Sequence, residues 1–394
     1  MIHMRICGGP HMEKMAAAMG IHPVYTNTMA CSHISGMYKR LVCDADIYHT
    51  HTPTPAQYLH QKIEQCINQG QHPVQAIHYI HKEVKGGYAC AWNHGTSIYL
   101  FRDPVGIKPL YYKGSEFASE KKAFTTPPHV VLPGEVIKIP GGPLFRTVIT
   151  PVKGEPTAHD LLDALKRSVH TYIERKAGIL FSGGIDSCIV AALSDTVLVT
   201  CGVEHSHDVV FARKAAQLLN KDLIEILITK KEIEEAVPYV ISIIGHKTLL
   251  DVEIGLLLYF VCQQCTKKIL VSGQGADELF GGYYKYEQAF HAKKDVRAHM
   301  KRDLSRIYTG LERDNHIAEH FKKCVRYPYL DLEVIKVALG VSTENLFVPQ
   351  RKALLRNVAR HIFLPPQLVS RPKKALQYGS GIHKIVQKMN LTQY

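Results

Sequence analysis

The sequence predicts a two-domain chain: an α+β N-terminal domain, then an α/β domain with a parallel sheet and a helical C-terminal part. Three observations predict it. The chain has 394 residues, more than the roughly 100–200 of one domain. A Pro- and Gly-rich stretch, IPGGPLFRTVITPVKGEPTAHD, interrupts it near residues 140–158, placing the boundary between 1–150 and 151–394. Apolar runs cluster before that stretch and alternate with helical patterns after it.

In the first part, Tyr88–Trp92 and Ser97–Phe101 are apolar runs around Asn93-His-Gly-Thr, which reads as a hairpin. Leu110–Tyr112, Val130–Leu132 and Val136–Ile139 read as short strands, and helical periodicity marks Ala56–Asn68 and Val74–Val84. A helix is expected to start at Thr157–Asp160. The second part reads strand Gly178–Phe181, a Gly-rich turn and a helix from Asp186 to about Ser194. Strand Val197–Val203, helix Val209–Leu219 and strand Leu223–Ile228 follow. Two helical segments, Lys231–Ile243 and Val252–Cys265, precede strand Ile269–Val271 and a second Gly-rich turn. From about Leu279 the pattern is mostly helical. Such an alternation predicts ligands at the carboxyl ends of the parallel strands.

Composition narrows the function classes. Apolar residues make up 46% and charged residues 21%, a globular balance that excludes disorder. The longest apolar run, around Ile254–Val261, falls far short of the about 20 residues that a membrane helix needs. The first residues have no apolar core of a secretory signal, so a cytoplasmic location is expected. The net charge of +13 is spread out, with no run of five like charges. It suits a nucleotide and an RNA equally, so charge alone does not decide; with no basic arm visible, a nucleic-acid partner is not expected, nor is a membrane. Ten scattered cysteines are those of a large enzyme rather than a disulfide scaffold. Cys262-x-x-Cys265 has no second pair to complete a zinc site and reads as core; His49-Thr-His51 reads as surface.

Two turns carry the chemistry. In Phe181-Ser-Gly-Gly-Ile-Asp-Ser187 a buried strand meets a helix N-terminus through two glycines. Backbone N–H groups, the helix dipole and the Ser182 and Ser187 hydroxyls make a cradle for a polyanion. Asp186 would repel phosphate alone but suits Mg²⁺ bridging phosphates. The plainer alternative is a glycine turn with Asp186 and Ser187 as helix caps. The second turn, Ser272-Gly-Gln-Gly-Ala-Asp277-Glu278, also ends a strand in glycines and acids. If the two strands are neighbours, Asp186 and Asp277 face one crevice and share metal ions; otherwise Asp277 and Glu278 cap a helix.

With these turns in hand, SGGIDS and SGQGADELFGGY together resemble the asparagine synthetase family, whose synthetase domain belongs to the ATP pyrophosphatase (PP-loop) group. Further matches follow in order: Leu311–Asn315, Val325–Asp331, Lys352-Ala-Leu-Leu-Arg356, Leu364-Pro365 and Arg371-Pro-Lys-Lys374 through Gly379. Upstream, Arg102–Tyr112 resembles "RDxxGxKPLYY" and Ala118-Ser-Glu-Lys-Lys resembles "ASExKAL". The resemblance implies activation of aspartate by ATP and Mg²⁺ to an aspartyl-adenylate with release of pyrophosphate, followed by ammonia displacing AMP. It assigns ATP to Phe181, Ser182, Gly183, Gly184, Asp186, Ser187, Cys201, Ser272 and Gly273. It assigns the metal to Asp186 and Asp277, and the stabilisation of developing charge to Lys374. Gln274 stands where the family often has Glu, and a neutral amide cannot be the general base. Either ammonia arrives unprotonated, or Glu278, the candidate catalytic acid, or another acid serves, or the acceptor differs.

The family also implies a class II glutamine amidotransferase domain of Ntn type at the N-terminus. Its nucleophile is a cysteine whose own α-amine is the base. The first cysteine here is Cys7, behind Arg5-Ile6; it would serve only if exposed by processing. "HRGPD" is absent, "NGEIYN" corresponds to Asp44-Ala-Asp-Ile-Tyr-His49, and the glutamate-binding "SDTE" has no match near Gln71–Ala76. An acid at the oxyanion position opposes developing negative charge. A degenerate glutaminase is therefore expected, with ammonia from solution or from a separate ammonia-supplying protein; a homodimer is also left open. Two other readings of the whole chain stay open: a related adenylating ligase acting on another carboxylate, of the β-lactam or peptide-cyclising kind, and a non-catalytic interaction protein.

Overall fold

The computed structural model describes residues 6–9, 12–19, 24–25, 29–31, 37–48, 54–246, 248–372 and 375–393. The chain divides into two compact units, Ile2–Ile149 and Thr150–Tyr394.

The N-terminal unit carries two antiparallel sheets. Its strands are β1 (Ile6–Gly8), β2 (Val24–Tyr25), β3 (Met29–Cys31), β4 (Met37–Tyr38), β5 (Leu41–Ile47) and β6 (Gly86–His94). They continue with β7 (Ser97–Arg102), β8 (Tyr111–Lys113), β9 (Glu116–Ala118), β10 (His129–Val130), β11 (Glu135–Ile139) and β12 (Gly142–Arg146). One sheet runs β10-β8-β9-β1-β3-β2 and the other β12-β11-β7-β6-β5-β4. Their facing sides share a core of Ile6, Val42, Ala89, Ala91, Leu100, Phe117 and Ile137. Alternation along β6 explains the layering. Ala89 and Ala91 face the other sheet, while Tyr88, Cys90 and Trp92 pack with helices α2 (Pro55–Asn68) and α3 (Pro73–Glu83). Helix α1 (Met12–Ala18) packs Met15 and Ala16 against Cys7 and Ala118 on the outer face of the first sheet. The unit is thus layered helix, sheet, sheet, helix.

The second unit opens with α4 (Ala158–Tyr172), held by a capping box in which Thr157 and Asp160 satisfy each other's backbone N–H. It then runs β13 (Gly178–Leu180), α5 (Ile185–Ala192), β14 (Val197–Val203), α6 (His207–Leu218), β15 (Leu223–Ile228), α7 (Lys230–Ile244), α8 (Leu249–Gln264), β16 (Ile269–Val271) and α9 (Ala276–Phe280). Helices α10 (Tyr284–His291), α11 (Val296–Leu304) and α12 (Tyr308–His320) lead into β17 (Cys324–Arg326). The end is helical: α13 (Leu332–Gly340), α14 (Thr343–Phe347), α15 (Ala353–His361), α16 (Pro366–Val369), α17 (Leu376–Gly379) and α18 (His383–Val386). The five strands form one wholly parallel sheet, β15-β14-β13-β16-β17. β13 and β16 are direct neighbours, Gly178 opposite Leu270 and Ile179 opposite Val271. The fifth strand, β17, was not among the strands read from the sequence. Arg326 at its end donates to Tyr172 O at 3.1 Å, and Asp331 caps α13 through the Glu333 N–H; both serve the scaffold.

Candidate active site

β13 and β16 deliver the two glycine turns side by side. After β13, Phe181 donates its N–H to Val199 O at 2.8 Å, and the chain leaves the sheet at Ser182. Gly183 takes φ +70°, a conformation costly for any side chain. Gly184 opens α5 and has no side chain of its own to cap the orphan N–H groups of its first turn. Ser182 Oγ accepts from the Gly184 N–H at 3.3 Å, and Ser187 Oγ donates to Gly184 O at 3.0 Å. After β16, Ser272 Oγ accepts from the Gln274 N–H at 3.2 Å, and Gly275 takes φ +95° before α9. The turns press together: a Cβ at Gly273 would stand 3.4 Å from Asp186 Cβ.

Asp186 and Asp277 do face one crevice, and a third side chain joins them. Lys352 Nζ lies 2.6 and 2.5 Å from Asp186 Oδ1 and Oδ2 and 2.6 Å from Asp277 Oδ1. The lysine side chain is 2% exposed and the carboxylates 13% and 15%. Lys352 has left-handed backbone, φ +60°, at the cap of α15, which directs a long side chain into the interior. Space for it exists because residue 282 is glycine: a Cβ there would overlap Asp277 Oδ1 and Lys352 Cε. Tyr329 Oη donates to Asp186 O at 3.0 Å behind the pair. One ammonium against two carboxylates leaves a single negative charge at the mouth of the phosphate loop. Two hard oxygen donors suit Mg²⁺, and the ammonium already between them is its competitor. Among the described residues, no cluster of three or more His, Cys, Asp or Glu side chains could hold a metal unaided; phosphate oxygens would have to complete the shell.

Glu278 sits in the next position of α9. Burial pushes its carboxyl above the usual range, against the pull of a 2.6 Å hydrogen bond donated by Tyr283 Oη. Phe181 is buried, and Cys201 is half-buried on β14, next to β13, its thiol pushed far up by burial. Lys374 and its neighbour Lys373 lie outside the described residues, as do His49 and His51. Cys262 and Cys265 are buried free thiols. Lys352 carries a single signal in the sequence, its place at the head of the Lys352–Arg356 motif, and nothing there gives it a role.

In the N-terminal unit, Cys7 is buried inside β1, paired with Ala30 on one side and Ala118 on the other. Its Sγ donates to Met12 O at 3.6 Å, and burial pushes the thiol up to about 12. Asp44 lies in β5, 1% exposed, with Lys108 Nζ 3.1 Å from Oδ1.

A parallel sheet with two glycine turns and an acidic pair at adjacent strand ends defines an α/β protein with a candidate site at the carboxyl ends of its strands. Comparison narrows this. The family model described as asparagine synthase matches residues 160–301 and 284–391, more than half of the chain, and the protein belongs to that family of ATP-dependent ligases. A model described as a glutamine amidotransferase domain matches residues 59–126. A putative glutamine-hydrolyzing asparagine synthetase of Methanocaldococcus jannaschii is 29% identical, over 89% of this chain and 79% of that one. An asparagine synthetase domain-containing protein of Saccharomyces cerevisiae is 28% identical over 58% of this chain and 53% of its own length. Glutamine-hydrolyzing asparagine synthetase of Gallus gallus is 26% identical over 72% and 61%. The chain thus spans less than two thirds of the yeast and chicken relatives.

Proposed function

We propose that this chain is an amide-forming ligase that makes asparagine from aspartate, ATP and ammonia. The observation that carries the reading is the convergence of the uncapped phosphate loop, Asp186, Asp277 and Lys352 at the ends of two neighbouring strands. The triphosphate would lie on Ser182–Gly184 with Ser187 at its side, and Phe181, Cys201, Ser272 and Gly273 would line the nucleoside. Asp186 and Asp277 would hold Mg²⁺, whose charge offsets that of the leaving pyrophosphate. The substrate carboxylate oxygen attacks the α-phosphorus, and the bond to the β-phosphate oxygen breaks. Lys352 is the fixed cation beside that charge, and Lys374 would stabilise the charge that develops in the amide step. Ammonia then attacks the acyl carbon, AMP leaves, and Glu278 takes up the proton that the new amide loses. A carboxyl raised by burial is a better proton acceptor at neutral pH than an ordinary one. Gln274 favours a second reading, in which the acceptor or the carboxylate differs.

The N-terminal unit is proposed as an Ntn-type sandwich without glutaminase activity. Its cysteine is inside a strand and its oxyanion position holds an acid tied to Lys108. Ammonia would come from solution or from another protein, in the cytoplasm. Among the described residues no helix is long and apolar enough to cross a membrane. The test is pyrophosphate release from ATP and Mg²⁺, with aspartate plus ammonium beside aspartate plus glutamine. Release and asparagine with ammonium alone are expected. Equal rates with glutamine would overturn the glutaminase reading, and no aspartate-dependent release would overturn the substrate.

A further inference from the structure

We propose that Arg371 is a positioning residue that sets the direction of the phosphate loop's backbone donors. Its guanidinium ties three distant segments together. Nη1 donates to Ser182 O at 2.5 Å, and Nη2 donates to Asp208 Oδ1 at 2.7 Å, with the two side chains 7% and 5% exposed. The guanidinium carbon lies 4.0 Å from the centre of the Phe211 ring, a cation–π contact. Phe211 in turn limits the loop: a Cβ at Gly183 would stand 2.7 Å from Phe211 Cδ1. The chain after Arg371 folds back on the same ion pair, since a Cβ at Gly379 would overlap the Asp208 carboxylate.

The consequence for the loop follows from peptide geometry. The 182–183 peptide is planar and trans, so its C=O and N–H point in opposite directions. Pinning the Ser182 carbonyl on Arg371 therefore fixes the Gly183 N–H on the other side. Without that anchor the glycine's freedom on both sides of φ would let this peptide turn over. Arginine suits the task because its fork serves two acceptors at once in one plane, which a lysine cannot do. Arg371 reaches the phosphates only through Ser182 and Gly183, so its effect is on anion recognition rather than on the nucleoside.

The inference rests on the nucleotide reading, and the test separates the two. Binding of ATP, pyrophosphate and adenosine is measured by calorimetry or competition for wild type, Arg371→Lys, Arg371→Met and Asp208→Asn, with circular dichroism and melting on each. Arg371→Lys and Arg371→Met are expected to weaken ATP and pyrophosphate about tenfold or more, about 1.4 kcal/mol, while adenosine stays within about twofold. Asp208→Asn should show the same pattern more weakly, and it keeps the inference testable should Arg371→Met fail to fold. Equal losses for ATP and adenosine, or no loss for either, would overturn the positioning role. A wild type that bound no ATP would overturn the nucleotide reading and this inference with it.

Discussion

At the scale of single residues, the decisive feature is the ammonium of Lys352 between two carboxylates. Burying three charged groups this deeply is tolerable only because each has its counter-charge in contact. Lys352→Met removes the cation and leaves two carboxylates facing each other, so roughly 3–5 kcal/mol of stability should be lost. The same change should open the acidic pair to a divalent ion. Mn²⁺ titrated into nucleotide-free protein and followed by electron paramagnetic resonance should bind Lys352→Met at least tenfold tighter than wild type, while adenylation is lost. Tight Mn²⁺ binding by the nucleotide-free wild type would show that Lys352 does not guard the pair. Gly282→Ala tests the packing around it. The added methyl meets Asp277 and Lys352, and a loss of about a hundredfold or more in pyrophosphate release is expected, with the circular dichroism of the chain retained. The Asp186–Asp277 crevice was legible in the sequence, because glycines and acids after two apolar strands already point to it. Lys352 was not, because its place depends on a left-handed backbone at residue 352 and on contact across 166 positions. Arg371 on Ser182, 189 positions apart, was hidden for the same reason.

At the scale of elements, legibility followed burial pattern. β13, β14 and β16 were readable because strands covered on both faces are nearly continuous apolar runs between turn signals; β15, at the sheet edge, was readable from its apolar residues although Glu225 and Leu227 are exposed. β17 is only Cys324-Val-Arg and carries no such run. β5 went unread because Asp44 and Asp46 interrupt its apolar residues, although Asp44 turns out to be buried with Lys108. Helices α2 and α3 were readable from their periodicity, and α3 carries a polar residue whose environment has a measurable consequence. His81 is buried against Tyr88 and Phe101, with Nδ1 2.7 Å from Thr147 Oγ1. Burial, with a smaller contribution from His78, lowers its pKa to about 3 from the ordinary 6.5. A lowered histidine favours folding in its neutral form. Its contribution is complete above about pH 6.5 and is lost as pH falls toward 3, because the unfolded chain takes up the proton first. The slope is at most about 1.4 kcal/mol per pH unit for one proton. Urea unfolding of the N-terminal unit at pH 7.5, 5.5 and 4.5 should therefore lose less stability on acidification in His81→Gln than in wild type. Parallel losses in the two proteins would mean that His81 does not carry the effect.

At the scale of the whole molecule, the two units hold very different chemistry. The C-terminal unit brings Asp186, Asp277 and Lys352 together at the ends of two neighbouring strands. The N-terminal unit, which carries the amidotransferase match over residues 59–126, buries both Cys7 and Asp44, the residues that the family resemblance sets at the nucleophile and oxyanion positions. The sequence alone pointed to this through the residues before Cys7 and the acid at 44, but it did not reveal Lys108 as the partner of that acid. A thiol pushed up to about 12 is only about one part in 10⁵ thiolate at pH 7, and its strand offers no free amine at its own residue to act as base. The outcome expected is specific. An electrophilic glutamine analogue incubated with the wild type should leave Cys7 unlabelled by peptide mass spectrometry. Cys7→Ala should then hold ammonium-driven pyrophosphate release within about twofold of wild type, with no glutamine-driven rate to lose in either protein. Stoichiometric labelling of Cys7, together with a glutamine-driven rate that Cys7→Ala abolishes, would require β1 to open and the thiol to ionise in a state other than this fold. The N-terminal unit would then have to be read as a working source of ammonia.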